Sequence, residues 1–277
     1  MPELLKAAIL GTVQGLTEFL PVSSTGHLIF LEEALGVDQD TFGLTFDAAI
    51  HLGTLLSILF LLRREVLRLA LGWLGSLRTR RLDGNADARL AWLILLATVP
   101  AVVLGLALEN TVEDTLRRPA LVASTLIAFA AVLGLAERLG GKGRLMTQLG
   151  IVGALFIGVA QSVALVPGVS RSGITISAGL FAGLQRRQAA LFAFLLSAPV
   201  IAGAGLKQAY DVVDEARAGA LDRSDLGFFA VGFVLAALSG AVAIAFLLRF
   251  LQRNPLYVFV WYRVALGLAV LATLAAR

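Results

Sequence analysis

The chain alternates long apolar runs with short polar breaks. A helix needs about 20 consecutive apolar residues to cross a bilayer. Six stretches meet that length: 43–62, 89–108, 119–137, 188–206, 226–248 and 256–275. Two further apolar stretches are broken. Pro21 and the run Ser23-Ser24-Thr25-Gly26 interrupt residues 3–34, and Pro167-Gly168 with Ser170-Arg171-Ser172-Gly173 interrupts residues 149–184. Each reads as two half-helices joined at a polar elbow, a re-entrant hairpin. Non-helical backbone at membrane depth persists only where protein or a water-filled cavity satisfies its polar groups.

The two broken stretches match each other. A shift of 147 residues lays Gly11 on Gly158, Gln14 on Gln161, Ser23 on Ser170, Thr25 on Ser172 and Gly26 on Gly173, while Pro21 and Pro167 agree within one position. Each broken stretch precedes three spans. An odd number of spans turns the second copy upside down. The expected fold class is all-α integral membrane: six transmembrane helices plus two re-entrant helical hairpins, arranged as two inverted-topology repeats. The single membrane domain 1–277 then divides into repeat one, 1–140, and repeat two, 145–277. Each repeat is a hairpin (3–34 or 149–184) followed by three spans.

Composition agrees with the pattern. The chain is 58% hydrophobic and 15% charged, with a mean hydropathy of +0.86. Soluble domains carry about 25% charged residues. The absence of cysteine excludes disulfides and thiolate metal sites. The net charge of +4 does not point to nucleic acid, because the basic residues sit in short loops between apolar runs. Loops 63–89, 138–148, 185–187 and 249–254 hold 14 Lys and Arg, against 5 in loops 109–118 and 207–225. The poorer set also carries Glu109, Glu113, Asp114, Asp211, Asp214, Glu215, Asp222 and Asp225. The basic set is therefore expected in the cytoplasm, with both termini outside. The hairpins then enter from opposite sides and their elbows meet near the middle. Loop 63–89, with Trp73, is a candidate for an interfacial amphipathic piece. No cleavable signal peptide is expected, since a basic n-region with a small-residue cleavage site is missing.

The first hairpin gathers the polar groups. Gln14 and Glu18 are four apart and share one helix face with Gly11 and Gly15. Ser23, Ser24 and Thr25 follow Pro21 at the elbow, where hydroxyls cap the next helix and free N–H groups bind anions. His27 lies one turn further. The second elbow offers Ser170, Arg171, Ser172 and Thr175. An arginine at that depth needs an anionic partner, and its planar fork suits phosphate oxygens. Joined, the elbows fit phosphoryl chemistry on an amphiphile with an anionic head. In that reading Arg171 and N–H groups hold phosphate, and Glu18 with Gln14 holds a divalent cation. Ser24 or His27 is the nucleophile or proton carrier. Asp47 and His51, also at membrane depth, are supporting candidates. Blander readings stand beside these: a Glu18–Arg171 pair that only locks the hairpins, serines that only cap, a core histidine at 27, glutamines that only bond backbone. A transporter of lipid phosphate built on the same inverted repeats is the rival function.

Three motifs carry a resemblance over nearly the whole chain: Gln14-Gly-Leu-Thr-Glu18, Pro21-Val-Ser-Ser-Thr-Gly-His27 and Pro167-Gly-Val-Ser-Arg-Ser-Gly-Ile-Thr175. They resemble the undecaprenyl-diphosphate phosphatases, also called bacitracin-resistance proteins. The resemblance implies removal of the terminal phosphate from a C55 polyprenyl diphosphate, which recycles the lipid carrier of cell-wall synthesis. It implies a divalent cation, Mg or Ca, a place in the bacterial cytoplasmic (inner) membrane, and an active site open to the outer face. It gives Glu18, Ser24, His27 and Arg171 as catalytic. Ser23, Thr25, Ser170, Arg171, Ser172 and Thr175 become the phosphate cradle, and Glu18 and Gln14 the metal ligands. The implied partners are the lipid substrate and the bilayer, with no nucleic acid; a homodimer stays open. Two positions depart from the family pattern: Gln14 stands where Glu is common and His51 where Gln is common.

Overall fold

The computed structural model describes residues 1–37, 42–80, 84–115, 118–217 and 225–276, and is all-helical there. The acidic positions assigned above to the outer loops fall outside the residues whose side chains are described. Both broken stretches form helix pairs. α1 (Glu3–Phe19) stops just before Pro21, and α2 (Ser24–Leu35) starts after a four-residue elbow. α7 (Ile151–Ser162) runs into a 3-10 turn (Val163–Leu165) ahead of Pro167, and α8 (Arg171–Phe181) starts after it.

The remaining helices follow the apolar runs. α5 (Ala86–Thr115), α6 (Pro119–Leu139), α9 (Arg186–Arg217), α10 (Asp225–Phe250) and α11 (Tyr257–Ala275) each contain a stretch long and apolar enough to cross a membrane. The chain is thus a multi-pass membrane protein. The expected span 43–62 is α3 (Leu44–Leu61), which bends by 83° into α4 (Arg63–Thr79). The amphipathic piece expected in loop 63–89 is therefore a helix of 17 residues, with Leu67, Leu71, Leu74 and Leu77 exposed along it. Their i, i+4, i+7 spacing makes one apolar face.

Packing crosses the chain midpoint. α1 lies along α10, and α7 along α5; α3 packs on α9, and α6 on α11. The glycines of the arms make the first two contacts close. A Cβ on Gly11 would strike the carbonyl of Gly232, and one on Gly15 the carbonyl of Ala236. A Cβ on Gly158 would strike the carbonyl of Ala97. Small residues allow this approach, and helix association in lipid rests on such van der Waals fit. Near the end of α6, Glu137 is 3% exposed and accepts from Arg186, the first residue of α9, whose Nε lies 3.0 Å from each carboxylate oxygen.

Gly158→Ala is expected to cost about 1–3 kcal/mol of stability by overpacking against backbone. Gly203→Ala, on α9 with open space around it, is expected to cost nothing. Thermal unfolding of the two variants in one detergent checks the difference; equal melting temperatures would contradict the close α7–α5 contact.

Candidate active site

Two serines set the geometry of both elbows. Ser23 has φ 72° and Ser170 φ 75°, the left-handed region that non-glycine residues rarely adopt. Each is the N-cap of its helix. Ser23 Oγ accepts from Gly26 N at 3.4 Å, and Ser170 Oγ accepts from Gly173 N at 3.1 Å. Such backbone costs about 1–3 kcal/mol per residue and persists where the surroundings over-determine it. The conformation aims the first turns of α2 and α8 at a common point. The first residue of α2 is Ser24, and that of α8 is Arg171.

Those residues converge on Glu18, the penultimate residue of α1. Arg171 Nη2 donates to Glu18 Oε1 at 2.6 Å. Ser24 Oγ donates to Glu18 Oε2 at 2.6 Å, and Gln14 Nε2 to the same oxygen at 3.1 Å. The carboxylate side chain is 4% exposed and the Arg171 side chain 22%. A buried charge is tolerated when paired and hydrogen-bonded, and this pair joins the two elbows. Around it lies a small polar cavity of about 60 Å³, lined by Glu18, Ser23, Ser24, Thr25, Ser170 and Arg171, with His51 on one wall.

Apart from His51, the other expected site residues stand behind this cavity or away from it. Gln14 is fully buried one turn below Glu18, and its Oε1 has no hydrogen-bond partner. Ser172 Oγ donates to Leu20 O at 2.9 Å, which ties α8 to the first elbow. Thr175 Oγ1 donates to Arg171 O at 2.7 Å within its own helix. His27 Nδ1 meets Ser23 O at 2.7 Å, and a carbonyl there requires Nδ1–H. Its Nε2 is left to accept from Tyr262 Oη at 2.7 Å, with the two rings stacked. His27 thus faces α11, away from the cavity lining. His51 Nδ1 likewise meets Asp47 O at 2.7 Å, and His51 itself lines the cavity. Asp47 is half-buried one turn before it and is not among the lining residues. Gln161, matched to Gln14 in sequence, is buried with both amide atoms unpartnered, so it bonds no backbone.

One residue escaped the sequence reading. Arg263, on α11, is 1% exposed. Its Nη1 donates to Pro21 O at 3.3 Å in the first elbow. Its Nη2 donates to Gly168 O at 2.9 Å and Val169 O at 3.0 Å in the second, and its Nε to Leu126 O at 3.2 Å on α6. Arginine has five donors in a fixed fork and can satisfy several carbonyls at once. The signal was present: an arginine in the middle of an apolar span needs partners. Alone in the last span, it had no motif around it to say which.

A family model described as bacitracin resistance protein BacA matches residues 7–269. The chain belongs to that family. An undecaprenyl-diphosphatase of Rubrobacter xylanophilus is 47% identical over 274 residues, 99% of each chain. One of Geobacter sulfurreducens is 44% identical over 276 residues, 99% of this chain and all of the relative. One of Pelobacter propionicus is 43% identical over 272 residues, 98% of this chain and 97% of the relative.

Arg263→Met is expected to lower unfolding free energy by about 2–5 kcal/mol, because it strands buried carbonyls in both elbows. Arg78→Met, at an exposed position, is the reference. Indistinguishable thermal unfolding of the two variants would contradict the clamp.

Proposed function

We infer that the chain removes the terminal phosphate from undecaprenyl diphosphate, giving the lipid monophosphate and inorganic phosphate. It is an integral membrane hydrolase, an undecaprenyl-diphosphate phosphatase. Full-length identity to proteins of that name supports the activity. The observation in the fold that carries it is the single cavity where Glu18 meets both Ser24 and Arg171. The transporter reading is not favoured by those relatives.

The chemistry follows from the contacts. Ser24 Oγ is hydrogen-bonded to a carboxylate, the arrangement of a nucleophile with its base. In our reading Glu18 takes the hydroxyl proton as Ser24 Oγ attacks the terminal phosphorus. The phosphoanhydride bond breaks and the lipid monophosphate leaves. Water then cleaves the serine phosphate, and Ser24 Oγ recovers a proton. Substrate phosphate competes with Glu18 for Arg171, whose guanidinium neutralises charge on the transferring group. N–H groups in the first turns of α2 and α8, with Ser23, Thr25 and Ser170, complete the cradle. His51 is placed to carry a proton at the cavity wall. His27, Ser172 and Thr175 support the elbows in this reading.

A divalent cation, magnesium or calcium, fits the donors. Glu18, the unpartnered Gln14 Oε1 and the Ser24 hydroxyl are all oxygen ligands, which hard cations prefer. Among the described residues no three His, Cys, Asp or Glu side chains gather as a metal site. The protein would therefore share the ion with substrate phosphates, as magnesium sites commonly do. Bound there, it would supply Lewis-acid neutralisation of the diphosphate.

The finer architecture belongs to the same proposal: two inverted repeats with re-entrant hairpins, in the inner membrane, with the cavity open to the outer face. The twin serine caps support it. So do Gly11 and Gly158, each set against a span from the other half, and the α3–α9 and α6–α11 pairs.

Phosphate release from undecaprenyl diphosphate in detergent tests the reading. Glu18→Gln, Ser24→Ala and Arg171→Ala should each lose a factor on the order of 10²–10⁴. His27→Ala should lose less than any of them. A His27→Ala variant as inactive as Ser24→Ala would put the histidine back into the chemistry. Chelation should stop release, and magnesium or calcium should restore it; chelator-insensitive turnover would remove the cation.

A further inference from the structure

A second polar feature lies far from Glu18 in sequence, where α9 begins and α10 ends. An open pocket of about 720 Å³ is lined there by Arg187, Arg249 and Arg253, with Phe246 and Phe250 among its apolar walls. Arg187 is the second residue of α9, Arg249 sits in the last turn of α10, and Arg253 follows in the connecting turn. The phenyl rings of Phe246 and Phe250 stack at 5.5 Å between centroids. Asn254 lines the pocket but spends its amide on Phe250 O at 3.0 Å.

Among the described residues, the charge in this pocket has no ion-pair partner. Arg186, next door, is satisfied by Glu137. No ion pair reaches Arg187, Arg249 or Arg253 among the described residues. Arg187 Nε is buried and has no acceptor among the described residues. Buried donors without acceptors are rare, and each one asks for an explanation. Orientation signalling accounts for arginines in a loop. It does not account for three that line one pocket, nor for a buried Nε left without a partner.

The pocket also lies at a defined depth. The apolar stretches Arg186–Lys207 and Gly227–Phe250 both end at it. The ends of two membrane-crossing stretches mark the boundary between acyl chains and headgroups. Aromatic walls suit the glycerol and upper acyl region, and guanidinium forks suit phosphate oxygens. Basic pockets between spans on the basic-loop side bind anionic headgroups.

We propose that the Arg187–Arg249–Arg253 pocket is a binding site for the phosphate headgroup of an anionic membrane phospholipid, separate from the catalytic cavity. The headgroup phosphate occupies the arginine forks, and its chain lies along Phe246 and Phe250. The site ties the start of α9 to the end of α10. α9 also packs on α8, which carries Arg171, so a bound lipid steadies the helix behind the second elbow.

The test uses the full chain purified in detergent. Parent, Arg187→Gln and the Arg249→Gln/Arg253→Gln double variant are titrated with phosphatidylglycerol or phosphatidylcholine in mixed micelles. Native mass spectrometry follows bound lipid, and thermal unfolding follows stability. The parent should retain phosphatidylglycerol in preference to phosphatidylcholine. Its melting temperature should rise by roughly 5 °C at saturating anionic lipid. Both variants should bind at least tenfold more weakly and lose the shift, while still releasing phosphate from undecaprenyl diphosphate. Arg249 and Arg253 are exposed, so the double variant keeps the test valid if Arg187→Gln folds poorly. An equal shift in parent and double variant overturns the site. The same shift with soluble glycerol phosphate overturns its assignment to a lipid.

Discussion

Two stretches of backbone leave helical geometry inside an apolar protein, and their carbonyls need donors. Arg263 supplies three of them at once. One guanidinium reaches Pro21 O in the first elbow and Gly168 O and Val169 O in the second. The elbows are thereby fixed to each other through a residue that belongs to neither. Unsatisfied polar groups cost several kcal/mol in hydrocarbon, so this constraint governs where α2 and α8 can start. The placement of Ser24 and Arg171 against Glu18 follows from it.

The match between the elbows and the difference between them do separate jobs. Ser23 and Ser170 share one unusual backbone conformation and one capping bond. The next position holds Ser24 in one elbow and Arg171 in the other. Glu18 has Leu165 at its shifted position. A common backbone thus presents a hydroxyl and a carboxylate from one side and a guanidinium from the other. In the proposed mechanism that combination handles a phosphoanhydride: a nucleophile with its base, facing a cation that takes up the charge.

Much of this was legible in the chain. Pro21 and Pro167 marked the breaks, and the 147-residue shift paired the caps. The cost of an arginine at membrane depth asked for an anionic partner for Arg171, read first as phosphate; the structure pairs it with Glu18, the blander of the two readings. Side-chain direction was not legible. His27 sits beside the elbow in sequence, yet helical rotation turns it to Tyr262. Of the two supporting candidates, His51 lines the cavity and Asp47 does not. Thr175 matched a motif but spends its hydroxyl on its own helix. Arg263 had no local pattern, because its partners are backbone carbonyls that no sequence motif records. The bend after Leu61 was likewise beyond a hydropathy reading, which sees apolar length but not the 83° turn into α4.

The central claim is that the two elbows act as one site through Glu18 and Arg171. A double-mutant cycle on phosphate release from undecaprenyl diphosphate tests it most directly, with Glu18→Gln, Arg171→Lys and the double variant assayed in one detergent. Residues that act as a unit are strongly non-additive. The double variant should therefore lose little more activity than the worse single variant. Losses that multiply would mean that the elbows act independently, and would contradict the shared site.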